Sequence, residues 1–188
     1  MRRLLILILV PLAACSTGVR PTAMVFQPVP RNSVICVIPL RDCIIPNNDD
    51  CPGSGGIAAS VIAATLSQAA FRAMPLSRPG GPDQPLTDEQ AGSLAGNKGC
   101  QLLINGEVND FYRVAPGTFR ADRASLQFRL LSVPEGEVVA NAISSVEAGS
   151  NLGTPEGLIR KLAQCLVREI GSTTQVSRPS NAGSRRPL

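Results

Sequence analysis

The sequence predicts a single α/β domain of the α+β kind, a mixed sheet of about four strands carrying two main helices. Three observations predict it. An apolar, β-branched run opens the domain, three strand-like runs follow one another as a meander, and two separate stretches repeat their apolar residues every three or four positions.

Residues 34–40 (Val-Ile-Cys-Val-Ile-Pro-Leu) form the opening run, nearly continuous in apolar residues and suited to a strand buried on both faces. Pro39 confines its second half to an edge or a strand end. Residues 41–56 are polar and carry Gly and Pro, as a loop does. Over 57–73, Ala58, Val61, Ile62, Thr65, Leu66 and Ala69 recur at spacings of three and four, so a helix there has an apolar face of small residues that packs closely on a sheet. Four prolines and two glycines make 74–85 a loop. Thr87 and Gln90 have the spacing of a capping box, which places a short helix over 87–97, and Gly99 then turns the chain.

Two strands are expected over 100–114 and 118–133, joined at Ala115-Pro116-Gly117. In the second, Leu126, Phe128 and Leu130 point one way and Ser125, Gln127 and Arg129 the other. Pro134-Glu135-Gly136-Glu137 turns the chain into a third strand over 138–145. Thr154, Pro155 and Glu156 supply an N-cap, a first-position proline and a first-turn acid for the closing helix. Leu158, Leu162, Leu166 and Ile170 form its apolar stripe, and Gly171 is expected to end it. The globular domain is thus 34–170, and 171–188, rich in Ser, Gly, Pro and Arg, reads as a disordered polar tail.

At the other end, Arg2 and Arg3 precede an apolar run over 4–12, a secretory signal too short to span a bilayer. The segment Leu12-Ala13-Ala14-Cys15 resembles the lipobox of bacterial lipoproteins. That resemblance implies removal of 1–14, acylation of Cys15 and attachment to the lipid bilayer. Ser16 stands where an Asp would mark inner-membrane retention, which implies the outer membrane, with the domain on its periplasmic face. Residues 15–33 have no helical or strand period and read as a lipidated flexible tether, able to reach roughly 60 Å when extended. The 174 residues left after cleavage suit one domain with tails.

The formal net charge of +4 is misleading, because the signal and the tail hold five of the arginines. Between Cys15 and Ile170, 13 basic residues stand against 14 acidic ones. A nearly neutral domain lacks the basic face that nucleic-acid binding needs.

An oxidising periplasm permits disulfides among Cys36, Cys43, Cys51, Cys100 and Cys165. Five is odd, so at least one is left out of pairing within the chain. Cys43 and Cys51 flank a polar loop and are the first choice of pair. Cys100 with Cys165 is the second, on the ground that a strand and the last helix pack together. Cys36, inside an apolar strand, reads as a small core residue.

The chain has no histidine, which excludes Ser-His and Cys-His nucleophile pairs and any metal site that contains His. Asp49 and Asp50 lie in a polar loop, while Glu107 and Asp110, three apart on a strand, are expected on opposite faces, so no acids converge. Gly53-Ser54-Gly55-Gly56 offers backbone N–H groups at a helix start, yet lacks the Gly-Lys-Ser/Thr ending of a nucleotide loop and reads as helix entry. Arg120 and Arg123 with Tyr112 form either a binding patch near the hairpin tip or a solvated strand end. No catalytic residue, cofactor or metal is expected.

The runs "VICVIPL", "KGCQLLINGEVNDFYRV", "ASLQFRLLSVPEGEVVANA" and "TPEGLIRKLAQCLVREI" together resemble a group of bacterial envelope lipoproteins. The group comprises the curli secretion-channel lipoprotein, the lipoprotein activators of penicillin-binding proteins, the Pel exopolysaccharide ring lipoprotein and the N-terminal domain of TolB. Gly99, Leu102, Leu103, Gly106 and Val108 carry its characteristic strand pattern. The resemblance spans residues 34–170 and implies a non-enzymatic accessory lipoprotein. Such a protein binds an envelope protein partner of a secretion, polysaccharide-export or wall-synthesis machine. The alternative is a homo-oligomer, a self-associating ring component of an export channel; a cell-wall enzyme is the remaining class.

Overall fold

The computed structural model describes residues 22–114, 122–147 and 153–176. Six strands and three helices follow in the order β1 (Thr22–Val25), β2 (Val34–Val37), α1 (Ser54–Gln68), β3 (Arg72–Pro75), α2 (Asp88–Gly96), β4 (Leu102–Tyr112), β5 (Arg123–Ser132), β6 (Val138–Glu147) and α3 (Pro155–Val176). One mixed sheet runs β1-β6-β5-β4-β2-β3, and the class is α+β as expected. β4, β5 and β6 are the antiparallel meander, whereas β2 pairs in parallel with both β3 and β4. Parallel neighbours need a crossover, and α1 supplies it between β2 and β3.

The two faces of the sheet are covered unequally. On one, Leu126, Phe128 and Leu130 of β5 pack in a single cluster with Leu158, Ile159, Leu162 and Leu166 of α3 and Ala58, Ile62 and Leu66 of α1. The alternation of β5 and the three-four stripe of α3 are therefore two halves of one core. On the other face, α2 is the one helix among the described residues that packs, its Ala91 and Ala95 against Cys36, Ile38, Leu103 and Leu131, with Leu76 and Leu86 beside it.

Both capping signals are realised. The Thr87 side chain accepts the N–H of Gln90, and the Gln90 side chain accepts the N–H of Thr87. Thr154 accepts the N–H of Gly157 at the start of α3.

Four boundaries differ from the expectation. β1 lies inside the expected tether of 15–33, held by antiparallel pairing of Thr22–Val25 with residues 140–143 of β6. A strand of four residues, set between Pro21 and Pro28, is too short to show a period. β3 was expected as the end of the first helix and the start of the loop after it, but α1 stops at Gln68 and an edge position tolerates Pro75, which closes the strand opposite Val37. α1 begins three residues earlier than the periodic pattern, at Ser54. α3 continues through Gly171 to Val176. Gly171 does not adopt the left-handed conformation of a C-cap, and a helical glycine costs only about 1 kcal/mol relative to alanine. The expected turn at Ala115-Pro116-Gly117 lies outside the described residues.

Candidate functional site on the open face of the sheet

Among the described residues α2 covers only one end of its face, and the rest of β4, β5 and β6 is open there, with β1 at the margin. A groove of about 410 Å³ runs over it, lined among others by Arg41, Arg78, Asn105, Glu107, Gln127 and Arg129. The acid that lines it, Glu107, and Asp88 beside it are both engaged. Glu107 accepts from Gln127 Nε2 at 2.6 Å and pairs with Arg41 at 3.4 Å. Asp88, from the first turn of α2, pairs with Arg129 at 2.9 Å and accepts from Asn105 Nδ2 at 2.8 Å. Arg41 also donates through Nε to the Asp83 carbonyl at 2.8 Å, and Arg78 donates to the carbonyls of Pro39 and Gln84. Partial burial holds the Arg78 guanidinium below its ordinary pKa, an effect opposed by the nearby Asp42 charge and reinforced by Arg41.

Glu107 and Asp110 share this face, contrary to the expectation from their spacing. The register slips between Val108 and Asp110, so Glu107 stands opposite Gln127 and Asp110 opposite Ser125, two residues apart on one side of β5. A bulge of one residue reverses the parity of everything beyond it. The two acids are still not a catalytic pair, since Asp110 is bound to Arg123 at 3.2 Å and Glu107 to Arg41. At the margin of the groove, where Ile143 lines it, the face turns apolar: Met24, Phe26 and Ile143 are each more than half exposed.

The motif glycines have physical reasons. A Cβ on Gly106 would lie 2.2 Å from the Gln127 carbonyl oxygen, so only glycine lets β4 pass β5 this closely. Gly99 has φ +73° in the turn into β4.

The glycine run at α1 is indeed helix entry, and its anion site is already filled. Asp42, buried and unremarked in the sequence, accepts the N–H groups of Gly53 and Gly55, both at 2.6 Å. Of the two loop acids, Asp49 is exposed and Asp50 accepts the Arg113 N–H at 2.8 Å. Arg123 lies over the Tyr112 ring, 5.3 Å from its centroid, which makes that patch a packed strand end; Arg120 lies outside the described residues.

Cys43 and Cys51 are joined as a disulfide, with Cα atoms 5.0 Å apart. The second bond is Cys36–Cys100, at 5.8 Å, and corrects the expected Cys100–Cys165 pair and the reading of Cys36 as a plain core residue. The reason is the sheet itself. Cys36 and Cys100 belong to the α2 side, while Cys165 is on α3, across the sheet. Among the described residues no group of three His, Cys, Asp or Glu is placed to hold a metal, and no helix is long and apolar enough to cross a membrane. Cys15 lies outside the described residues.

No protein-family model matches the chain, and no curated protein matches it. Solved structures do. A PelC dodecamer from Paraburkholderia phytofirmans superposes with a TM-score of 0.63 at 16% identity, over 81% of this chain and 98% of that one. The fold is that of PelC. A second crystal form of the PelC dodecamer gives a TM-score of 0.61 at 17% identity, over 80% and 97% of the two chains. Lipoprotein GNA1162 from Neisseria meningitidis gives 0.48 at 19%, over 74% and 99%. PelC belongs to the group that the sequence resembles, and at these identities the likeness to it is one of fold.

Proposed function

We propose that the chain is a non-enzymatic accessory lipoprotein, anchored through acylated Cys15 to the outer membrane with its domain in the periplasm. The open face of the sheet binds another protein of a secretion, polysaccharide-export or wall-synthesis machine. The observation that carries this reading is the groove: Glu107, the acid in its lining, is held by Arg41 and Gln127, and exposed Met24, Phe26 and Ile143 lie on the same face. Exposed Met, Phe and Arg side chains are of the kinds enriched in protein contacts. The PelC fold supports an envelope role.

A photo-crosslinking side chain at Gln127, in the groove, tests it in cells. A single envelope protein captured from Gln127, but not from the exposed control Asn97 at the far end of the fold, supports the reading. Equal or no capture at both overturns it. The second reading, a self-associating ring, is favoured by the dodecameric state of PelC; an adduct at twice the mass of the mature, acylated chain would select it.

A further inference from the structure

We infer that the Cys43–Cys51 loop is a membrane-docking element, whose tip residues Ile44 and Ile45 sit in the headgroup boundary of the bilayer that holds the anchor. The inference rests on the anchoring at Cys15 proposed above and adds the orientation of the domain on that bilayer.

Ile44 is 62% exposed and Ile45 36%, side by side in a loop that is otherwise polar, with Pro46 exposed beside them. Single exposed apolar residues are ordinary on protein surfaces. Two adjacent isoleucines on a fixed frame are less so. The frame is fixed because Cys43 and Cys51 are both buried and bonded at the base of the loop. Above them the Asn48 N–H donates to the Ile45 carbonyl and the Cys51 N–H to the Asn48 carbonyl.

The loop is pinned to one end of the sheet. Asn48 Nδ2 donates to the Phe111 carbonyl at 3.0 Å, and Asp50 accepts the Arg113 N–H, so it sits where β4 finishes. Tyr112, Arg123 and Glu147 are in one row of the register, so β6 finishes at this same end.

The anchor leaves toward that end too. β1 is antiparallel to β6 with Thr22 opposite Ile143, so Thr22 is the residue of β1 nearest the Glu147 end of β6. Six residues separate Cys15 from Thr22, which limits the Cα distance between them to about 25 Å. The remaining four residues of β6 take up about 13 Å of that length. An acylated Cys15 therefore lies no more than about 12 Å beyond the end of the sheet that carries Ile44 and Ile45, measured along the strand. With so short a leash the bilayer surface is the nearest apolar medium to them, and side chains at such a boundary settle into it.

The chain contains no tryptophan, so one introduced tryptophan reports alone. The full-length protein carrying Ile45→Trp, matured in cells, is reconstituted in vesicles of phosphatidylethanolamine and phosphatidylglycerol and floated on a density gradient. Asn97→Trp, at the opposite end of the fold, is the comparison. Docking requires that Ile45→Trp emission shift to the blue on reconstitution and be quenched when the acyl chains are brominated, while Asn97→Trp does neither. A blue shift without bromine quenching would show a second copy or another protein covering the loop and overturn the proposal. So would two tryptophans that behave alike. If the wild-type protein is not acylated and does not float, anchoring itself fails and docking fails with it; if it floats and the Ile45→Trp signal is absent, only docking fails.

Discussion

The carboxylate of Asp42 lies across the first turn of α1 and accepts the backbone N–H of Gly55, while a Cβ on that glycine would come within 1.8 Å of the Leu40 carbonyl oxygen. The two residues specify each other. The helix can start at Ser54 because a buried anion satisfies its first N–H groups, and the anion can approach because residue 55 has no side chain.

Asp42→Ala should thus destabilise the domain by about 1–3 kcal/mol, the cost of leaving buried donors unmet. Gly55→Ala should cost at least as much, because the obstruction is backbone. Gly56→Ala is the control: nothing lies within 4 Å of its Cβ, so the higher helix propensity of alanine should stabilise by about 0.5–1 kcal/mol. Urea denaturation of the three variants reads the ordering, and a Gly55→Ala protein as stable as Gly56→Ala would contradict it.

Much of this fold is legible in the sequence because its larger elements carry their signals locally. The capping box of Thr87 and Gln90, the leucine stripe of α3 and the alternation of β5 each lie within a dozen residues or so. What escaped is set at long range. Asp42 caps a helix eleven residues away through a loop, and Cys36 meets Cys100 only because β2 and β4 are parallel neighbours. The bulge at Asn109 has no marker residue, and with it the sharing of one face by Glu107 and Asp110 was hidden.

The Cys36–Cys100 bond closes a loop of 64 residues, and chain-entropy reasoning assigns such a cross-link about 4 kcal/mol. The Cys36→Ala, Cys100→Ala double variant should unfold at clearly lower denaturant than the parent. Peptide mapping without reductant should recover Cys36 linked to Cys100; a Cys100–Cys165 peptide would place α3 on the wrong side of the sheet.

Glu156 gives a pH test. Burial alone would raise its pKa, but hydrogen bonds from the Arg113 side chain, the helix backbone and Thr154, with the Arg113 charge, bring it below the ordinary carboxylate value. A depressed folded-state pKa means stability that is fully present above the unfolded pKa and is lost as pH falls through the folded one. Denaturant midpoints taken from neutral pH downward should therefore fall less steeply in Glu156→Gln than in the parent below the ordinary carboxylate range. Parallel curves would remove Glu156 from the acid response.

The closing helix should prove indispensable. Leu162 is fully buried at the centre of the stripe, whereas Lys161 beside it is exposed. Leu162→Ala should cost roughly 2–5 kcal/mol by leaving a cavity, and Lys161→Ala no more than about 0.5 kcal/mol. Equal losses in a denaturant titration would mean that the other face of α3 meets the sheet.

β1 divides the same way, and it decides where the tether ends. Ala23 and Val25 are partly buried against the cluster beneath α3, while Met24 between them is 58% exposed on the open face. If 22–25 were free tether, a charge at either position would be without effect on folding. As an edge strand it should respond only on one side. Val25→Asp would put a carboxylate against apolar side chains of β6 and α3 with no partner, a desolvation cost of the order of 1–3 kcal/mol. Met24→Asp leaves its carboxylate in water and should change stability by no more than about 0.5 kcal/mol. Amide hydrogen exchange adds a second reading, since the Phe26 N–H donates to the Val139 carbonyl at 2.8 Å and should be protected in the parent and in Met24→Asp but not in Val25→Asp. Two variants as stable as the parent, with Phe26 exchanging freely in all three, would return this segment to the tether and lengthen the reach of the anchor accordingly.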